Sequence, residues 1–333
     1  FANTKLLDPR ITFVRNSTAA YYDGQTSALA EQNLLLQSNF QSGWQGGSTR
    51  TLALNTTAAP DGTTTGNTVT NTAIVAYTYL QATNTPSVIY TFSAYLKQGT
   101  AQYGYIALRQ GVSATYGYGI LVDLATGTLV SQQYTATPLT STAYSITNAG
   151  NGWWRLSVTG TTTSAGALIT IIENRNTATP TFSAQIDITN ATIGATLNLC
   201  WSQLEQRSSA TAYTPTTTAA ITNYIPVLMT APAGVARFDC DPITGKSLGL
   251  LIEESRTNLL CPSVPIIAGF AYTQAYGTSL VNQIISPDGT LTATQQVFSG
   301  AGIAMQIIAI LTPSTTYTCS LYVKGGSSII KFS

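Results

Sequence analysis

"PSVIYTFSAYLKQGT" (Pro86–Thr100) and "PSTTYTCSLYVKGGS" (Pro313–Ser327) share eight of fifteen residues, among them both tyrosines and the lysine. The first copy alternates. Phe92, Ala94 and Leu96 fall on one side, and Ser93, Tyr95 and Lys97 on the other. Successive side chains of a strand point to opposite faces, so a period of two predicts a strand with one apolar face. The same rhythm runs outward from this stretch. "YGYIALR" sets Tyr103, Tyr105, Ala107 and Arg109 against Ile106 and Leu108. "YGYGILVDLATGTLV" reads as a hairpin turning at Ala125–Thr126–Gly127. "NGWWRLSVTG" alternates Trp154, Leu156 and Val158 against Trp153, Arg155 and Ser157. No amphipathic helical window exceeds about ten residues. Many short strands divided by turn signals predict an all-β chain, an antiparallel jelly-roll β-sandwich.

The repeat extends beyond its opening stretch. "NLLLQSN" (Asn33–Asn39) returns as "NLLCPSV", and "APDGTTTGNTV" (Ala59–Val69) as "SPDGTLTATQQV". Asp61 to Asp288, Tyr90 to Tyr317 and Lys97 to Lys324 are each 227 positions apart, while Asn33 to Asn258 is 225. A constant offset of domain length signals a tandem pair rather than a solenoid. The expected organisation is an N-terminal connector or assembly segment over 1–32 and a sandwich over 33–215. An extended connector over 216–257 and the first part of a second, incomplete sandwich over 258–333 follow. The second unit reaches only the counterpart of Gly104–Ile106, so further chain, or a strand from another chain, is expected to complete its sheet. The first residue is Phe1, so the chain is expected to be part of a longer protein. The connectors, Ile11–Leu36 and Ile221–Leu260, are expected to bury apolar area against other copies.

Only 8% of residues are charged, 14 basic against 13 acidic, where an ordinary domain has about 25%. Such a balance provides no field to attract nucleic acid or anionic lipid. The most apolar stretches, Ala304–Leu311 and Val264–Tyr272, are far shorter than the roughly 20 residues of a spanning helix. No membrane insertion and no nucleic-acid partner are expected. Cys200, Cys240, Cys261 and Cys319 lack metal-ligand spacing and read as free thiols, with a Cys240–Cys261 bridge as the alternative. There is no histidine, which removes Ser-His-Asp and Cys-His nucleophile pairs and His-ligated metal. Asp239/Asp241 and Glu253/Glu254 read as a turn and a surface strand, not as a glycosidase pair. No enzymatic activity, cofactor or metal is expected. "PDGT" at Asp61 and Asp288 is turn chemistry: Pro fixes φ, Asp caps and Gly takes a positive φ.

The candidate binding residues are aromatic and cationic side chains on the rhythm opposite the aliphatic one: Tyr95, Tyr103, Tyr105, Arg109, Tyr116, Tyr118, Trp153 and Arg155. If their strands are neighbours, they form one aromatic surface able to stack on a sugar face. The same residue types also suit a subunit contact or packing beneath a loop. Trp44, Trp154 and Trp201 are expected in the core.

"NLLLQSNFQSGW", "APDGTTT", "YTFSAYLKQGT", "NGWWRLSVTGT" and "LNLCWSQLEQRSSATAYTPT" together resemble the carbohydrate-binding-module-like domain of tailed-bacteriophage virion proteins. "ITFVRNSTAAYYDG" and "RFDCDPITGKSLGLLIEESRTNLL" resemble the connector before such domains in phage tail, fibre and head-decoration proteins. The resemblance covers nearly the whole chain. It implies jelly-roll sandwiches in a homo-oligomer, often a trimer, within the virion, together with other virion proteins. It also implies, in some members, recognition of host-surface glycan. Relatives attached to polysaccharide-degrading enzymes often carry a structural calcium, but here Asp61 and Glu205 are the only acids inside the matching motifs.

Overall fold

The computed structural model describes residues 7–44, 49–111, 116–135, 139–183, 188–253, 272–273, 277–298, 304–305, 312–318, 320, 322 and 324. Its elements in chain order are β1 (Ala19–Asn33), β2 (Arg50–Thr57), β3 (Gly66–Asn71), β4 (Thr78–Asn84), β5 (Ile89–Gln98), β6 (Tyr103–Gln110) and β7 (Tyr116–Asp123). Then come β8 (Thr128–Tyr134), β9 (Thr140–Gly150), β10 (Trp153–Thr161), β11 (Gly166–Arg175), β12 (Thr196–Glu205) and β13 (Ile221–Ala231). The remainder are β14 (Phe238–Cys240), β15 (Ser247–Leu250), β16 (Tyr272–Thr273), β17 (Gly277–Ile284), β18 (Ala293–Phe298) and β19 (Ala304–Met305). Among the described residues no helix is long and apolar enough to cross a membrane.

Two compact units form, Glu31–Asn223 and a second that joins Phe1–Ala30 to Tyr224–Ser333. The first is the jelly-roll sandwich. One sheet has the order β2-β3-β12-β5-β10-β9 and the other β4-β11-β6-β7-β8. All neighbouring strands within them pair antiparallel. The predicted alternation decides what lies between the sheets. Phe92, Ala94, Leu96, Leu156, Val158, Leu197 and Leu199 from one sheet meet Ile106, Leu108, Ile120, Val122, Leu168 and Ile172 from the other. Each fully buried aliphatic or phenyl side chain contributes about 1.5–3 kcal/mol relative to exposure.

Trp154 packs on this core as expected, and its Nε1 donates to the Leu124 carbonyl at 2.9 Å. Trp44 also joins it, tilted on Phe40 with 4.2 Å between ring centroids. Arg50 bridges the two sheets. Its guanidinium donates to Thr78 Oγ1 (2.9 Å), the Ile172 carbonyl (3.0 Å) and Asn174 Oδ1 (2.6 Å). Burial pushes its pKa down to about 9, with Glu173 opposing that shift.

The second unit contains most of both segments read as connectors, while 31–32 and 216–223 belong to the sandwich unit. β1 and β13 pair with each other as a two-stranded sheet, and β14 and β15 form a hairpin. This unit also holds the repeat. β17–β18 pairs Gly277 with Phe298, Thr278 with Val297, Ser279 with Gln296, Leu280 with Gln295 and Ile284 with Ala293. Shifted back by 227, these are the pairs of β2–β3, including the irregularity before the last one.

The intervening turns match as well. Thr63 donates N–H and hydroxyl to Asp61 Oδ1, and Thr290 does the same to Asp288 Oδ1. Gly62 and Gly289 have φ of +84° and +80°. Further along, Thr85 N–H donates to Tyr90 OH, and Thr312 N–H donates to Tyr317 OH. Ser87 and Ser314 share a φ near +58°, at 59° and 57°. The remainder of the repeated strand up to Ser327 lies largely outside the described residues.

Candidate functional site

The eight candidate residues divide between opposite sides of the sandwich, because β5 and β10 belong to one sheet and β6 and β7 to the other. They do not form the single surface that neighbouring strands would have given.

On the outer side of the five-stranded sheet, Tyr105 is fully buried in a second apolar cluster with Ala107, Leu121, Ile169, Ile171 and Ile188. Phe182 covers it, with 5.2 Å between ring centroids. Tyr103 is half-buried at the cluster's edge, and Arg109 is buried. Tyr118 points inward. It is opposite Leu108 in the β6–β7 register, belongs to the main core and donates to Gln132 Oε1 at 2.7 Å. Burial raises its pKa. The candidate surface included Tyr118, yet it shares its parity with Ile120 and Val122, which line the same core. Gly117 and Gly119 occupy the outward positions instead, and a Cβ on Gly119 would lie 2.3 Å from Tyr105 Oη. Tyr116 is opposite Gln110, and its side chain lies outside the described residues.

On the outer side of the six-stranded sheet, Trp153 is fully buried with Ala59 and Cys200. Its Nε1 donates to the Ala58 carbonyl at 2.9 Å, and Lys97 Nζ stands 6.0 Å from the ring centroid. Packing beneath a loop therefore applies to Trp153.

Next to it is a grouping that leaves aromatic surface within reach of solvent. Tyr95, Arg155, Trp201 and Tyr213 are all partly exposed. Trp201 stacks on Tyr213 (5.4 Å, 12°) and meets Tyr95 edge-on (5.2 Å, 78°). The Arg155 guanidinium lies 5.3 Å over the Tyr95 ring and donates to Ser93 Oγ at 3.1 Å. Burial raises the Tyr95 phenol pKa, with Arg155 opposing, and pushes Tyr213 up to about 12. Both rings remain neutral apolar faces at ordinary pH.

Trp201 was expected in the core. A bulge moves it out. Between Cys200 and Gln203 the β12–β5 register slips by one residue, and Trp201 takes a φ of +51°, rare for a bulky side chain. A signal for this was present in the sequence. Leu197 and Leu199 are odd-numbered and Leu204 even, yet all three face the core, so one residue between them had to be spare. Tyr213 could not be found by period, because it lies on the irregular segment after β12.

That segment also fixes the acidic residue of the motif. Glu205 accepts from Thr211 N–H (3.0 Å) and Thr211 Oγ1, with Arg207 Nε 3.6 Å away. The Asp61 carboxylate caps its own turn. Among the described residues no group of three or more His, Cys, Asp or Glu side chains could hold a metal ion. Cys200 and Cys240 are buried free thiols, and Cys261 and Cys319 lie outside the described residues. Burial raises the Cys200 thiol pKa, which keeps it protonated and unreactive.

No family model matches the chain, and no curated protein matches it. Among solved structures, a CBM22-1 xylan-binding domain from Paenibacillus barcinonensis aligns over 55% of this chain and 99% of its own, at 13% identity and a TM-score of 0.31. The enzymatically active domain of tailspike protein 4 from bacteriophage CBA120 aligns over 53% of this chain and 21% of its own, at 9% identity and a TM-score of 0.29. This chain thus spans about a fifth of that tailspike chain. At TM-scores of this size neither likeness carries a functional argument.

Proposed function

We propose that the chain is a structural component of a bacteriophage virion, a fibre, tail or capsid-decoration protein that assembles as a homo-oligomer and has no catalytic role. The supporting observation is the repeat. One hairpin and its capped turn recur 227 residues apart with the same register and the same hydrogen bonds, as in a protein built by stringing copies of one sandwich. The near-neutral, Thr/Ser/Gln-rich composition suits burial between subunits, since fewer ions must be desolvated. The partners in this reading are further copies, with a trimer as the favoured state, and other virion proteins. Its location is the particle, after synthesis in the host cytoplasm. Immunogold labelling of purified particles with antibody against this chain should decorate the tail, fibres or capsid. Particles free of the chain would refute the reading.

A second role, recognition of host-surface polysaccharide, is supported by the Tyr95–Arg155–Trp201–Tyr213 group. A tryptophan held at positive φ so that its ring faces outward is a strained feature of the kind found at functional sites. A glycan array should return a hit with the intact chain, and Trp201→Ala should lower its affinity by at least tenfold. An array with no hit, or a hit untouched by that substitution, would remove this role.

A further inference from the structure

The outer side of the six-stranded sheet carries two cations beside its aromatic group. In the β5–β10 register Trp153 is opposite Lys97 and Arg155 is opposite Tyr95. Lys97 and Arg155 are therefore diagonal neighbours on one face, about 7–8 Å apart at the backbone. Both are half-buried. Each stands over a ring, Lys97 over Trp153 and Arg155 over Tyr95. Among the described residues the ion pairs involve neither of them. The carboxylates around this face are engaged elsewhere. Asp61, whose field reaches the Cys200 thiol, accepts from Thr63 N–H and hydroxyl. Glu205 accepts from Thr211 and has Arg207 beside it.

The Arg155 guanidinium is fixed on one edge and open on another. Nη2 donates to Ser93 Oγ, and Nε is enclosed by protein without a hydrogen-bond partner. Those two atoms hold the side edge of the group against the sheet. The end edge, Nη1 with the second Nη2 proton, makes no hydrogen bond to the described residues. Two parallel N–H groups on one guanidinium edge match the two oxygens of a carboxylate. Such a charge-assisted bond is roughly twice as strong as one to a neutral hydroxyl. The rings complete the arrangement. Tyr95 meets the guanidinium on one side and Trp201, stacked on Tyr213, on the other. A sugar unit resting on this aromatic group can therefore present a ring substituent to Arg155. Lys97 adds a second positive charge along the same face.

We propose that the glycan held by this face is acidic, a polysaccharide bearing sugar carboxylates, and that Arg155 selects it. This rests on the glycan-recognition role above and names its ligand class. The probes are oligogalacturonate, hyaluronan oligosaccharides and oligosialate, each beside its carboxyl-reduced form, with dextran sulfate as a polyanion without carboxylates. Titration calorimetry measures their affinity for the full chain, for Arg155→Met, for Arg155→Lys and for Trp201→Ala, and circular dichroism establishes that each variant is folded. Wild type should bind at least one carboxylate probe at least tenfold more tightly than its reduced form and than dextran sulfate. Arg155→Met should erase that preference. Arg155→Lys keeps the charge without the fork and should lose most of it; this variant decides the matter if the methionine variant does not fold. Trp201→Ala should weaken acidic and reduced forms alike. A wild type that binds both forms equally, takes only neutral glycans or prefers dextran sulfate would overturn the acidic class and leave glycan recognition standing. So would a preference that survives both Arg155 variants. No binding to any probe, reduced or not, together with an array without a hit, would overturn both.

Discussion

Replacing Arg175 by methionine is expected to destabilise the sandwich by about 3–5 kcal/mol, the usual cost of removing one partner from a buried ion pair. Glu173 and Arg175 lie two apart on β11 and so share a face. Both side chains are 0% exposed, with 3.0 Å between Arg175 Nη2 and Glu173 Oε2. Burial lowers the Arg175 pKa to about 10, with Glu173 opposing the shift. The same Glu173 oxygen accepts from Ile188 N–H at 2.9 Å, which fastens the segment after β11 over the apolar cluster around Tyr105. Arg175→Met therefore leaves a carboxylate in a site without its cation. The double replacement Glu173→Leu/Arg175→Met removes both charges and should recover most of the loss, because a buried pair rarely outperforms apolar side chains of similar volume. Urea denaturation followed by tryptophan fluorescence measures both. A single variant within 1 kcal/mol of wild type, by the same denaturation, would show that the pair contributes little (about 1 kcal/mol being typical of surface pairs).

Trp153→Ala should cost a similar amount, about 3–5 kcal/mol, the range for truncating a buried large aromatic. The indole is enclosed by Ala59, Cys200 and Tyr95, and a Cβ on Gly66 would come within 3.1 Å of it. Its removal leaves a cavity and also strips the Ala58 carbonyl of its donor. Loss of glycan binding in this variant would accordingly report unfolding rather than recognition. Trp201→Ala tests the exposed ring. In the same urea titration Trp153→Ala should shift the midpoint markedly; an unchanged midpoint would mean that the pocket around Trp153 collapses without cost.

These two residues show what the sequence could and could not disclose. Alternation located the inner faces. Phe92, Ala94, Leu96, Leu156 and Val158 lie between the sheets as their spacing requires, since a strand with one apolar face has only one way to bury it. The turn at Asp61 was also legible, and its duplicate at Asp288 bonds in the same way. Which sheet each strand joins was not legible. Strands β5 and β6 are consecutive in sequence and lie in different sheets, so Tyr95 and Tyr105 cannot share a surface. Nor does a period of two reveal what covers an outer face. Trp153 and Tyr105 are buried by loop residues, Ala59 and Phe182, that carry no periodic signal. The connectors read as two separate extended pieces. Their pairing as β1–β13 spans almost two hundred residues of intervening sandwich, beyond what local pattern can report.

The claim that one sandwich element is built twice rests on the register of β17–β18, and a disulfide scan measures that register directly. Ser279 and Gln296 are opposite each other, so Ser279→Cys/Gln296→Cys should oxidise to a bridge found by peptide mapping. Ser279→Cys/Val297→Cys, slipped by one residue, should not, because adjacent side chains on a strand point to opposite faces. Bridging only in the slipped pair, or in neither, would contradict a second copy of the β2–β3 hairpin.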